Sequence, residues 1–120
     1  MAESCSCGLP PKSDAYKTVS PKEFSIEIKS PEIFLIDVRK PEEYGEGHIA
    51  GAHNIDVTSE DFLEKAKSIL PKDRTIAVYC GSGKRSAIAS GKLTGAGYTI
   101  LNLDGGLSAW IASGLPVTKD

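Results

Sequence analysis

The chain has 120 residues, which suits a single domain with its own hydrophobic core. Hydrophobic residues make up 40% of it and charged residues 25%, and the formal net charge is −2 at pH 7. This balance argues against a nucleic-acid partner and against a polybasic membrane surface, although one local basic loop is compatible with it. No apolar run approaches the roughly 18 residues that a membrane-spanning helix needs.

The cysteines and the N-terminal sequence indicate a compartment. Three cysteines are an odd number, so at least one thiol stays outside any intramolecular disulfide. The opening MAESCSCGLPPKSD has neither the basic start nor the apolar stretch of a secretory signal. We therefore expect a cytoplasmic protein with free thiols. Residues 1–15 are predicted to form a flexible tail before a domain at residues 16–120. Cys5 and Cys7 in that tail are too few for a zinc site, and no metal or cofactor is expected.

Strand and helix patterns then alternate along the chain. A short strand at residues 16–19 precedes a helix that Ser20 caps and Pro21 opens. The later strands are predicted at residues 33–38, 52–56, 75–80 and 98–103, and the later helices at residues 62–70, 86–93 and 107–113.

The strands at residues 33–38 and 75–80 are apolar almost throughout, which is typical of strands covered on both faces. Alternation of such strands with helices favours an α/β sandwich with a largely parallel central sheet. Ligands of these sheets bind at the carboxyl ends of the strands. Cys80 lies at such an end, and it is followed by a short glycine-rich, basic loop.

That loop, CGSGKRS, has some features of a nucleotide-binding loop. In a phosphate loop of the Walker type, however, Val78 stands where the first glycine belongs and Arg85 stands where a serine or threonine binds magnesium. A dinucleotide fingerprint nearly fits Gly81, Gly83 and Ser86, but too little chain follows for the domain that it opens. Both nucleotide interpretations are therefore disfavoured.

A nucleophilic Cys80 accounts for more of these residues. Gly81 and Gly83 allow backbone N–H groups to turn inward, and the start of the next helix adds a positive dipole end. Lys84 and Arg85 add two charges where cations oppose the dipole, which indicates an anionic partner. The alternative is that Cys80 is only a small apolar residue at a strand end. We expect the strand end to be open to substrate and the thiol pKa to be lowered.

Three ordered stretches resemble the signatures of one family. They are LIDVRKPEEYGEGHIAGAHNI at residues 35–55, CGSGKRS at residues 80–86 and LDGGLSAWIASGLPV at residues 103–117. In these stretches the chain resembles the single-domain rhodaneses, which are small thiosulfate sulfurtransferases. The resemblance implies a rhodanese-like α/β fold, a three-layer sandwich with a five-stranded, mainly parallel sheet flanked by helices.

The resemblance also implies an activity. Cys80 would take a sulfane sulfur from thiosulfate or a related persulfide donor and pass it to cyanide or a thiol. The expected partners are this small anionic donor and the acceptor, with a sulfur-relay protein as a further candidate and neither nucleic acid nor membrane. The expected substrate-binding residues follow Cys80 directly: Gly81, Ser82, Gly83, Lys84, Arg85 and Ser86.

Other residues of the signatures are expected to support the structure. Asp37 and Arg39 are predicted to form an ion pair at a strand end that braces the neighbouring loops. His48 is predicted to fix a tight turn by hydrogen bonding rather than to act as a base. Trp110 is expected in the core, and Gly105-Gly106 is expected to serve the backbone geometry before the last helix.

The length of the loop separates functions within this fold. From Cys80 to Arg85 the loop has six residues, as in the sulfurtransferases, whereas related phosphatases and arsenate reductases use a loop one residue longer. A phosphatase or arsenate reductase is therefore disfavoured. The other alternative is a rhodanese-like module without turnover, which carries persulfide or docks onto a partner protein.

Overall fold

The computed structural model of the protein describes residues 16–119, and the predicted tail with Cys5 and Cys7 lies outside them. Its centre is one five-stranded sheet in the order β1-β5-β4-β2-β3. All four strand pairings are parallel. The strands are β1 (Lys17–Val19), β2 (Ile33–Asp37), β3 (His53–Asn54), β4 (Thr75–Tyr79) and β5 (Thr99–Leu103).

Helices cover both faces of this sheet. Their bounds are α1 (Pro21–Glu27), α2 (Pro41–Glu46), α3 (Phe62–Ile69), α4 (Lys84–Gly95) and α5 (Gly106–Ala112). Buried side chains of α3 and α4 pack on one face, and those of α1 and α5 pack on the other. The predicted three-layer α/β sandwich is therefore confirmed. No helix within residues 16–119 is long and apolar enough to cross a membrane.

The central strand β4, together with Cys80 directly after it, supplies side chains to both hydrophobic layers. Ile76, Val78 and Cys80 join the cluster under α3 and α4, whereas Ala77 and Tyr79 join the cluster under α1 and α5. All five residues are fully buried. This alternation follows from the pleat of a strand, and it explains why the stretch from Ile76 to Cys80 is apolar throughout.

The element α2 was not predicted from the sequence. It is a single short helix that begins at Pro41 and contains Gly45, so it lacks the apolar periodicity of a longer helix. The helix α4 also begins earlier than predicted, at Lys84 rather than at residue 86, because Gly83 takes up the turn with a left-handed φ of 105°. Both differences lie beside Cys80.

Candidate active site

Cys80 follows β4 directly, at the carboxyl end of the strand in the middle of the sheet. The loop then passes through Gly81 and the exposed Ser82 to Gly83, and α4 begins at Lys84. Cys80 is a free thiol, and its relative exposure is 0%. The expectation that the strand end leaves this thiol open to substrate is therefore wrong, because Cys80 belongs to the packed core under α3 and α4.

Hydrogen-bond donors of the loop surround the sulfur. The N–H of Gly83 donates to Cys80 Sγ at 3.0 Å. Burial raises the pKa of the Cys80 thiol, but the N–H groups of Ser86, Gly83 and Ser82 and the Ser86 hydroxyl together lower it below its usual value. With the thiol in place, the Ser86 hydroxyl donates to the carbonyl oxygen of Gly83 at 3.2 Å, so it has to turn to reach a thiolate. The thiolate is thus favoured chiefly by hydrogen bonds of the loop, which the sequence suggested together with the helix dipole and the charges of Lys84 and Arg85.

The start of α5 holds the loop in this orientation. The N–H of Leu107 donates to the carbonyl oxygen of Cys80 at 2.7 Å, and the N–H of Ser108 donates to that of Gly81 at 2.9 Å. Gly106 makes this approach possible, because its φ is +65° and an added Cβ would lie 2.6 Å from the Cys80 carbonyl oxygen. Because these two carbonyl groups point toward α5, the N–H groups of Ser82, Gly83 and Ser86 can face the sulfur.

Asp37 and Arg39 form a buried ion pair at the end of β2. Arg39 Nε and Nη2 donate to Asp37 Oδ2 at 3.0 and 2.8 Å, and Nη2 also donates to the carbonyl oxygen of Gly47 at 2.5 Å. Burial lowers the pKa of Arg39, but the hydrogen bond and charge of Asp37 outweigh it and raise the pKa overall. The pair connects β2 to the turn after α2, so it fixes where α2 lies.

The helix α2 in turn places Glu43 beside the loop. Arg85 Nη1 and Nη2 donate to Glu43 Oε1 and Oε2 at 2.7 and 3.0 Å. This contact, opposed by partial burial, lowers the pKa of Glu43 to about 2. Arg85 is therefore already paired with a carboxylate, whereas the side chain of Lys84 is exposed to solvent. The two basic residues of the loop have different surroundings.

His48 lies in the turn between α2 and β3 and is buried. Its ring stacks on the ring of Tyr44 with a centroid distance of 3.7 Å, and Nδ1 lies 2.9 Å from the carbonyl oxygen of Tyr44. Its backbone pairs with Thr118 in both directions at 2.8 Å. These contacts suit a residue that holds the turn, and none of them is to the loop that carries Cys80.

Sequence reasoning did not assign a role to Glu43 or to the N–H groups of Leu107 and Ser108. The acidic first turn after Pro41 indicates a helix start, but nothing local relates Glu43 to an arginine 42 positions later. Within residues 16–119, no group of three or more histidine, cysteine, aspartate or glutamate side chains is arranged to hold a metal ion.

We predict that the alkylation of Cys80 by iodoacetamide has a midpoint below the free-thiol value of about 8.5. Because the folded-state pKa is lowered, the thiolate contributes stability that is complete above the unfolded pKa and is lost as the pH falls through the folded pKa. A pH series read by peptide mass spectrometry measures the midpoint, and Ser86→Ala should move it upward. A wild-type midpoint at or above 8.5 would contradict the role of these hydrogen bonds.

We also predict that Gly106→Ala displaces the loop, because the new Cβ meets the Cys80 carbonyl. Gly114→Ala is the matched control, since Gly114 also has a positive φ, +80°, but nothing lies within 4 Å of an added Cβ. In urea unfolding the control should lose about 1 kcal/mol and Gly106→Ala about 3 kcal/mol or more. Only Gly106→Ala should raise the alkylation midpoint. Equal losses with unchanged midpoints would show that this approach does not orient the loop.

Comparisons with known proteins show the family to which the chain belongs. The family model of the rhodanese-like domain matches residues 20–113. An alignment of 85 positions is 40% identical to thiosulfate sulfurtransferase 16, a chloroplastic protein of Arabidopsis thaliana, and covers 62% of this chain and 71% of that protein. A 67-residue stretch is 38% identical to thiosulfate sulfurtransferase PspE of Escherichia coli, and covers 55% and 62% of the two chains.

A solved structure gives the same result. A rhodanese-related protein from Thermoplasma volcanium superposes with a TM-score of 0.77 at 33% identity, over 88% of this chain and all of that one. The matches to curated relatives span between 48% and 71% of those proteins' own lengths. Since the family model covers most of the chain, including the whole loop from Cys80 to Ser86, the chain belongs to the rhodanese-like domain family.

Proposed function

We propose that the protein is a sulfurtransferase that moves a sulfane sulfur from thiosulfate, or a related persulfide donor, to cyanide or a thiol through a persulfide on Cys80. The observation that carries this proposal is the hydrogen bond from the Gly83 N–H to Cys80 Sγ, together with the other donors that lower the pKa of this thiol. The names of the relatives from Arabidopsis and Escherichia coli support the same reaction class.

In the first step the Cys80 thiolate attacks the outer sulfur of thiosulfate. A new S–S bond forms to Cys80, the S–S bond of thiosulfate breaks, and its electron pair leaves with sulfite. The product is a Cys80 persulfide anion, so charge is conserved without an added oxidant or reductant. Splitting one transfer into two displacements is nucleophilic catalysis, and the lowered pKa supplies the thiolate that it needs.

In the second step the acceptor attacks the terminal sulfur of the persulfide. With cyanide, the C–S bond forms, the S–S bond to Cys80 breaks, and thiocyanate leaves while the thiolate is restored. The loop N–H groups and the Ser86 hydroxyl that stabilise the thiolate also suit the negative terminal sulfur of the persulfide. The same donors thus serve both intermediates.

Binding of an anionic donor is supported by the surroundings of the loop. Lys84 is exposed at the start of α4, so its ammonium group is available to a dianion in solution. Because Cys80 itself has a relative exposure of 0%, atoms around the sulfur have to move before a donor reaches it. The partly exposed side chain of Arg85 is suited to such a movement, since 29% of it is accessible.

We predict that Cys80→Ala and Cys80→Ser abolish sulfur transfer while the fold is retained, because both proposed steps make or break a bond to the sulfur of Cys80. The measurement is the rate of thiocyanate formation over a panel of donors, with circular dichroism as the check of folding. In the wild type, incubation with thiosulfate should add the mass of one sulfur atom to the peptide containing Cys80, and cyanide should remove it.

Two results would contradict this function. A Cys80 variant that keeps more than about a tenth of the turnover would show that the sulfur is carried elsewhere. A wild-type protein that gains the sulfur mass but does not release it to cyanide or to thiols would favour the persulfide carrier. Removing residues 1–15 serves as the control for Cys5 and Cys7, and it should leave the rate within a few-fold.

A further inference from the structure

The guanidinium group of Arg85 lies against the residue that follows the nucleophile. A Cβ added to Gly81 would be 3.3 Å from Arg85 Nη2 and 4.0 Å from Arg39 Cδ. Arg85 therefore bends back over the loop from the first turn of α4, instead of pointing away into solvent. Its bidentate contact with Glu43 holds it there.

Three anions raise the pKa of this one guanidinium group. The hydrogen bond to Glu43 is the main cause that raises the pKa of Arg85, with burial opposing it. The charges of Glu43, of the Cys80 thiolate and of Asp37 raise it further. Asp37 already has its own partner in Arg39, whose Nε and Nη2 donate to Oδ1 and Oδ2. Glu43 is therefore the anion that contacts Arg85, and the Cys80 thiolate acts on the same guanidinium group through its charge.

The two ion pairs beside the loop differ in burial. The side chains of Arg39 and Asp37 are 7% and 0% exposed, so neither partner can be exchanged without leaving a buried charge. The side chains of Arg85 and Glu43 are 29% and 37% exposed, so solutes can reach this pair, and an anion that replaces Glu43 keeps the guanidinium group paired. The first pair is suited to bracing, and the second is suited to exchange with an anion from solution.

We propose that Glu43 is a specificity-determining residue, whose carboxylate occupies Arg85 until an oxyanion of the sulfur donor displaces it. The inference rests on the proposed function for the identity of the donor. A guanidinium fork binds two oxygens of one group, so a sulfonate or carboxylate on the donor is the chemistry that can take the place of Glu43. A neutral donor does not displace Glu43 from Arg85, so its binding is not strengthened by the guanidinium group.

The test uses Glu43→Gln, with Glu42→Gln as its matched control. Glu42 is the neighbouring residue on α2, it is exposed, and its substitution changes the net charge by the same amount. Glutamine is chosen because Glu43 Oε1 also accepts the N–H of Lys40 at 3.2 Å, and an amide oxygen can keep that bond. Circular dichroism and thermal unfolding verify that both variants fold.

The readout is the ratio of the rates at which iodoacetate and iodoacetamide alkylate Cys80, followed by peptide mass spectrometry at low salt. The two reagents differ mainly in charge, so the ratio reports attraction of an anion and cancels changes in thiolate fraction or loop opening. Glu43→Gln should raise the ratio by roughly fivefold to tenfold, since Arg85 is then free to bind a carboxylate. Glu42→Gln should raise it less than about twofold, and added salt should reduce the difference.

A ratio in Glu43→Gln that equals the wild type or matches Glu42→Gln would overturn the inference. If both alkylation rates fall by the same factor, so that the ratio stays at the wild-type value, Glu43 is only a brace for the loop.

A second arm measures sulfur transfer from thiosulfate. If the proposed function holds, Glu43→Gln should lower KM for thiosulfate while kcat changes little. Alkylation needs no turnover, so the two proposals can fail separately. A raised iodoacetate ratio in a protein that transfers no sulfur would refute the sulfurtransferase and keep the role of Glu43. If the wild type transfers sulfur normally, but Glu43→Gln changes neither the alkylation ratio nor KM, the sulfurtransferase is kept and the role of Glu43 is refuted.

Discussion

Two hydrogen bonds from the start of α5, to the carbonyl oxygens of Cys80 and Gly81, determine what the reactive loop can do. A short loop has as many carbonyl groups as N–H groups, and an unsatisfied or wrongly turned carbonyl would repel a thiolate. Because α5 takes the first two carbonyls, the N–H groups of the later residues face the sulfur. The absence of a side chain at Gly106 lets the two segments come this close.

The topology brings these segments together. The order β1-β5-β4-β2-β3 places β4 between β5, which leads into α5, and β2, which leads into α2. The carboxyl ends of all three strands therefore meet around Cys80, as is general for parallel sheets. The start of α5, after β5, supplies the hydrogen bonds that orient the loop, and the end of β2 with α2 supplies the charges beside it.

Those charges form two matched pairs of different kinds. The buried pair of Asp37 and Arg39 ties β2 to the turn at Gly47 and so positions α2. The partly exposed pair of Glu43 and Arg85 depends on that position, but it remains accessible to solutes. The contact between Glu43 and Arg85 can therefore form, and be exchanged for another anion, only because the buried ion pair fixes the position of α2.

Much of this could be predicted from the sequence. The apolar runs of β2 and β4 fix two central strands, and a cysteine followed by glycines and cations at a strand end indicates a bound anion or a thiolate. Local patterns could not reveal that Arg85 meets Glu43, because that contact depends on the packing of α2 against the loop. They also could not reveal that Cys80 is fully buried, since burial at a strand end is decided by what the neighbouring elements cover.

The most direct test of the account is the pH titration of the loop amides by ¹H–¹⁵N NMR spectroscopy. If N–H groups of the loop donate to the Cys80 thiolate, the amide protons of Gly83 and Ser86 should move downfield as the thiolate forms, with one midpoint below about 8.5. Cys80→Ser should abolish these shifts. Amide signals that do not change through the titration of Cys80, or that change equally in Cys80→Ser, would show that the loop does not hold the thiolate.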